Sequence, residues 1–255
     1  MAELHALVEG AVADLDLPAV PVPRWDDYLE EFRAGVPMLE SSAAAIDLAD
    51  AAGPLAILVI QAANLPLPDP LASECRTLLS ELRGDPETAE RWVAWLLERE
   101  SPAPPGQGLL LYLGWTVLAR QLKTVVGEFG RWRDEERWLR NYCPTCGAPP
   151  AMGQLVGKDP GRMRFLVCGC CRTRWRFRRT LCPFCETDAA ELSTVAIEGE
   201  RGLRVDYCES CHGYLKTYTG DRDEEVLLAD WTTVHLDVLA ADRGLRRMAG
   251  SLYEW

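Results

Sequence analysis

The chain has no apolar run long enough to cross a membrane. Its two most apolar stretches, LAILVIQAANL and GLLLYLGWTVLAR, stop well short of the ~20 residues that span a bilayer. The N-terminus, MAELHALVEGAVADLDL, has acids where a secretory signal needs a basic segment, and it lacks a transit peptide's Arg-rich, acid-poor character. The expectation is a cytoplasmic protein without membrane insertion. Also missing are a nucleotide-binding Gly loop, a Ser-His-Asp arrangement and an HExxH pair, so no catalytic signature is on show. Positive charge is scarce, with 27 Lys and Arg against 39 Asp and Glu, a net charge of −12. That balance argues against nucleic acid or an anionic membrane as the partner of the whole molecule.

What the chain does have is organised in zones. At 255 residues and 48% hydrophobic it can bury a core without help from metals or disulfides. Residues 1–141 read as a helical domain. RWDDYLEEFRAGVPMLESSAAAIDLA, PLASECRTLLSELRG and PETAERWVAWLLERE space apolar residues three and four apart, which predicts a bundle of four to six helices. Asp85 and Pro86 look like an N-cap and first-turn pair, SPAPPGQG breaks the pattern, and a long helix is expected from about Leu109 towards Arg140. Trp92, Trp95, Trp115, Trp132 and Trp138 fall at core-compatible spacing. From Tyr142 the pattern changes to short alternating strands, MRFLVC, TRWRFRR, LSTVAIE and LRVDYC, between cysteine pairs. Residues 142–180 and 181–220 form two successive modules, and 221–255 return to helix.

The cysteines carry the chemistry. Nine of the ten are clustered, and eight of these form four CxxC units: Cys143 and Cys146, Cys168 and Cys171, Cys182 and Cys185, Cys208 and Cys211. The first and second units are separated by 21 residues, the third and fourth by 22 and the middle pair by only 10, so one module is used twice. A CxxC turn aims two thiolates at one ion, and a second knuckle from a neighbouring hairpin completes a tetrahedron. A reducing compartment favours this over disulfides. Pairing first with second and third with fourth is the simplest arrangement, and an interleaved one is the alternative. Tetrahedral sulfur sites suit zinc or a single iron equally. With all four positions filled by protein, such a site can hold structure or pass one electron, but it lacks the open position that hydrolysis needs.

Arg172, Arg174, Arg176 and Arg178 alternate with Thr173, Trp175 and Phe177. On a strand the arginines share one face, either a solvated surface over an aromatic core or a contact patch for an acidic peptide, a phosphate or a nucleic acid. Between Cys143 and Lys216, 11 Lys and Arg outnumber 8 acids, which favours a selective contact surface. His212 sits beside Cys211 as an alternative ligand, and Cys170 as an extra thiol, either redox-active or packed. Cys75 and His235 lie in helical patterns and read as core or surface residues.

The ordered set CPTCG, LVCGCCRTRWRFRRTLCPFC, YCESCHGYLKTY and DWTTVHLDVLAADRGLRR, behind a helical N-terminal region, resembles the formate dehydrogenase accessory protein family, FdhE, over most of residues 24 to 247. The resemblance implies an α+β fold: an N-terminal helical bundle, then two tandem rubredoxin-like or zinc-ribbon modules of short antiparallel strands, and a C-terminal helix. It implies two iron ions per chain, with zinc as the alternative, each held by four cysteines: Cys143, Cys146, Cys168 and Cys171, and Cys182, Cys185, Cys208 and Cys211. It also implies a non-enzymatic maturation factor that binds the formate dehydrogenase catalytic subunit in the cytoplasm. A homodimer is compatible with it. Cys170 departs from the pattern by adding a thiol to the second knuckle. The competing readings are a rubredoxin-like one-electron carrier and a zinc-ribbon nucleic-acid-binding protein, the latter opposed by the net charge.

Overall fold

The structure, a computed structural model, describes residues 2–98, 102–158, 160–196, 202–220 and 226–248. The described chain falls into two compact units, one made of residues 2–28 and 41–132, the other of 29–40 and 133–248.

The first unit is helical: α1 (Ala2–Ala13), the start of α2 (Trp25–Ala34), α3 (Ala52–Ala62), α4 (Asp69–Gly84), α5 (Thr88–Glu98), α6 (Gln107–Gln121) and α7 (Lys123–Trp132). Its axis is α6, which is apolar on every side. Leu110, Tyr112, Leu113 and Val117 are fully buried, and α1, α3, α4, α5 and α7 all pack on it. Gly114 lets α5 approach closely, because a Cβ there would lie 2.2 Å from Leu96 Cδ1. The start of α6 is capped from a distance, Leu109 N donating to Glu74 Oε2 at 2.8 Å. Asp85 turns the chain into α5 by accepting from Glu87 N at 2.9 Å, with the helix itself beginning at Thr88. Trp92, Trp95 and Trp115 are core residues, and Trp132 stacks on Trp25 at 5.6 Å.

The helix expected from Leu109 towards Arg140 is three helices. It breaks at Leu122 and again before α8 (Glu135–Trp138), where the Asp134 carboxylate accepts from Glu136 N at 3.0 Å. A side-chain cap offered inside a periodic stretch competes with continued helix, and here it wins.

The second unit is built on one sheet: β1 (Pro150–Val156), β2 (Met163–Cys168), β3 (Arg174–Phe177), β4 (Leu192–Ala196), β5 (Leu203–Cys208), β6 (Gly213–Thr219) and the short β7 (Arg246–Arg247). Ile197 and Glu198, the end of the LSTVAIE strand, lie outside the described residues. Within each module the strands are antiparallel, as the sequence pattern predicts. The strand order β3-β2-β1-β6-β5-β4 then joins the modules head to tail through a parallel seam, Gly153 opposite Thr217. Gly153 permits the seam, since a Cβ there would meet Thr217 Oγ1 at 2.6 Å.

After β6 the chain forms α9 (Val226–Thr232) and α10 (Val234–Ala241) before β7 pairs in parallel with the start of β6. Leu236, Ala240 and Leu245 close a small core over Val205 and Tyr214. Charge fixes the same segment. Lys216, 1% exposed, lies 2.7 Å from both Asp230 Oδ1 and Asp237 Oδ2. Arg247 reaches the same two carboxylates at 2.7 and 3.1 Å, and Tyr214 OH donates to Asp237 at 2.7 Å. Burial pushes the Asp230 carboxyl up, but Arg247 and Lys216 outweigh it and hold the group below the usual carboxylate range.

Residues 29–40 belong with this second unit and strap the first knuckle. Met38 N and Leu39 N donate to the carbonyls of Pro144 and Thr145, both at 2.9 Å, and Tyr142 OH donates to Gly35 O at 2.7 Å. Phe32 stacks on the buried Trp138 at 5.3 Å.

Candidate metal centres

Each CxxC unit forms the same turn. After the second cysteine of every pair the backbone enters the left-handed region, at Gly147 (φ 72°), Arg172 (62°), Glu186 (57°) and His212 (57°). This turn folds the two thiols onto one side while a backbone amide returns to the first cysteine's carbonyl, as with Gly147 N to Cys143 O at 3.0 Å, Glu186 N to Cys182 O at 3.0 Å and His212 N to Cys208 O at 2.9 Å. A left-handed non-glycine residue costs about 1 kcal/mol or more, so three of the four knuckles hold their shape against local preference. Only the first needs glycine for space as well, because a Cβ on Gly147 would lie 2.5 Å from Glu40 Oε1 in the strap. His212 therefore serves the turn: its backbone makes the bend, and the sulfur cluster beside it is complete without the ring.

The turns bring eight sulfurs into two groups, Cys143 with Cys146, Cys168 and Cys171, and Cys182 with Cys185, Cys208 and Cys211. The pairing is first with second and third with fourth, and the interleaved alternative is not what the fold adopts. Within each group the sulfurs lie within 4.8 Å of one another. The nearest pairs are 3.4 Å (Cys143 to Cys171), 3.5 Å (Cys146 to Cys168), 3.7 Å (Cys185 to Cys208) and 3.8 Å (Cys182 to Cys211). A tetrahedron with metal–sulfur bonds of about 2.3 Å has edges of about 3.8 Å, so both groups could hold a metal ion.

The donor chemistry points the same way. In the first group burial pushes Cys171 up, but its hydrogen bonding with Cys143, Cys146, Cys168 and Thr173 brings it well below the ordinary thiol value. Cys146, by its contact with Cys143, and Cys168, by burial, are pushed well above it. In the second group burial drives Cys182 up to about 12, while the Thr187 hydroxyl helps lower Cys185 to about 6. Four thiols this close cannot all ionise alone, and a cation removes the repulsion. Backbone amides aim at the sulfurs in support: Thr145 N to Cys143, Phe184 N to Cys182 and Gly213 N to Cys211, each at 3.4 Å. Buried hydroxyls of Thr145 and Thr173, 2.7 Å apart, bridge the two knuckles of the first group.

The groups differ in access. Cys143, Cys168 and Cys171 are buried, whereas Cys185 is exposed. Cys170 is buried beside the first group, in contact with Cys146 and Cys168, and is not one of its four sulfurs. Cys75 is a core residue whose thiol points to Val59 O at 3.7 Å, and His235 is exposed on α10.

The arginine stretch is only partly a strand. Arg172 occupies a knuckle turn and Arg178 follows β3, while Thr173, Trp175 and Phe177 are buried as alternation requires. Arg174 lies over Phe165 at 4.8 Å and donates to the buried Gln154 at 3.0 Å; Arg176 pairs with Glu136. The outer edge of β3 is capped, Arg133 donating to Arg174 O and Glu135 accepting from Arg176 N at 3.1 Å. Arg133, Glu135, Gln154 and the Lys216 network escape a reading of the sequence because each depends on partners distant along the chain.

Residues 142–179 match the family model described as the FdhE central domain. The chain is 32% identical over 179 residues to the "Protein FdhE homolog" of Stutzerimonas stutzeri strain A1501, covering 67% of this chain and 56% of that protein. With the homologue of Aquifex aeolicus it shares 31% identity over 115 residues, 44% of this chain and 41% of the other. The chain thus spans about half the length of the curated relatives it matches. The crystal structure of the FdhE protein from Pseudomonas aeruginosa has the same fold, with a TM-score of 0.63 over 99% of this chain and 86% of that one at 22% identity. The central-domain match and the curated relatives make this chain similar to the FdhE family, and the solved FdhE structure shares its fold.

Proposed function

We propose that this protein is a maturation factor for formate dehydrogenase, not an enzyme, which binds the catalytic subunit in the cytoplasm through a scaffold built around two tetra-cysteine metal sites. The observation that carries this reading is the closure of both sites. Four protein sulfurs leave no coordination position for a substrate, so their chemistry is confined to holding structure or exchanging an electron. Similarity to the FdhE family supplies the client. Iron is the ion proposed for each site, with zinc the alternative for the same donors. The arginine stretch, above all the exposed Arg174 and Arg178, is the proposed contact face for acidic groups of the client.

The test is genetic. Deleting the gene in its host should abolish formate dehydrogenase activity while the catalytic subunit is still made, and the wild-type gene should restore it. A gene carrying both Cys143→Ser and Cys182→Ser should not. Full activity in the deletion strain would rule the reading out. The exposed Cys185 favours a second reading, a one-electron carrier, which requires reversible reduction of the second site.

A further inference from the structure

We propose that a cleft beside β2 and β3 binds a small polyanion of the organic diphosphate class. The cleft has a volume of about 480 Å³, inside the range of roughly 300–1,000 Å³ for small-molecule sites. Five arginines line it, Arg162, Arg164, Arg176, Arg178 and Arg179, and among the described lining residues Glu136 is the one acid. In a chain of net charge −12, this is a concentration of like charge that the fold must hold against self-repulsion.

Two of these side chains are fixed in advance. Arg164 donates to Leu181 O at 2.9 Å and Arg179 to Arg162 O at 3.0 Å, which orders the guanidinium groups without neutralising them. Arg164 is 5% exposed, and its Nε has no acceptor among the described residues. Its nearest carboxylate, Asp206, stands 3.9 Å away and is held more closely by Arg204 at 2.9 Å. A buried donor without an acceptor is costly, and a ligand oxygen would remove the cost.

Several guanidinium forks converging on one cleft suit adjacent phosphate groups, each offering oxygens for bidentate contact, better than a lone carboxylate. Met163, Leu139 and Phe177 supply apolar wall for an organic part. A nucleic acid instead needs a long basic track to neutralise successive phosphates, and the acidic remainder of the chain opposes that. This inference does not depend on the proposed function.

The experiment is calorimetric titration of inorganic pyrophosphate into the metal-loaded full chain at about 0.15 M salt, where exposed charges are screened beyond about 8 Å. The variants are Arg178→Ala with Arg179→Ala, both exposed positions, and the corresponding double Lys variant. One saturable site per chain is expected, weakened about tenfold or more in the Ala variant and partly recovered by Lys, which keeps charge but not the fork. No saturable binding to the wild type, or equal heats for wild type and Ala variant, would overturn the proposal. So would tighter binding of a single-stranded oligonucleotide than of pyrophosphate under the same conditions.

Discussion

Cys143→Ser is expected to release the ion of the first site and leave the second loaded. Serine offers a poor ligand where the other sulfurs remain poised, and the knuckle it belongs to, held by the strap of residues 29–40, would be held further by a bound ion. Binding at a structural tetrathiolate site contributes on the order of 10 kcal/mol to folding, so its loss should lower the thermal midpoint markedly and expose the strap to hydrogen exchange. Cys182→Ser should do the converse, emptying the second site and sparing the first. Metal-to-protein ratios by elemental mass spectrometry, read beside thermal unfolding, check both. Two ions retained at full occupancy in either variant would contradict the ligand sets.

Asp230→Ala should produce the second large effect. The substitution leaves Lys216 buried with only Asp237 to balance it and takes from Arg247 its closer carboxylate. Removing one partner from such a buried network costs about 3–5 kcal/mol, and denaturant unfolding should register it chiefly as release of α9, α10 and β7. Lys216→Met should cost less, because Arg247 still faces both acids and an apolar side chain fills the space. Asp230 also sets an acid limit. Its carboxyl is held below the ordinary range, so its contribution is present above the unfolded value of about 4 and is lost as pH falls through the lower folded value. The Ala variant should lack that acid-side loss. Equal stability of wild type and Asp230→Ala would show that the network adds nothing.

The two four-cysteine groups are legible in the sequence because their signal is local: a CxxC turn shapes itself over a few residues, and repeated intervals of 21 and 22 residues set one hairpin between knuckles. The antiparallel hairpins followed from the same alternation. The parallel seam between β1 and β6 has no such local mark, since strands some sixty residues apart meet there without a connecting turn. Lys216 in GYLKTYT reads as one more polar strand position, and only the fold shows that Asp230 and Asp237 cover it. The arginines read as one free face, yet Arg174 and Arg176 already have partners on Gln154 and Glu136, residues that strand periodicity cannot connect to them. The strap has only a helical pattern in the sequence, because the hydrogen bonds that make it a strap run to a knuckle more than a hundred residues later.

The proposed action of this scaffold on a client protein is tested by an anaerobic pull-down of the formate dehydrogenase catalytic subunit by the metal-loaded protein, with total nucleic acid present as competitor. Recovery of the subunit without nucleic acid is expected, with weaker recovery when Arg174 and Arg178 are replaced by Ala and metal content is unchanged. Recovery of nucleic acid and no catalytic subunit would contradict the proposal.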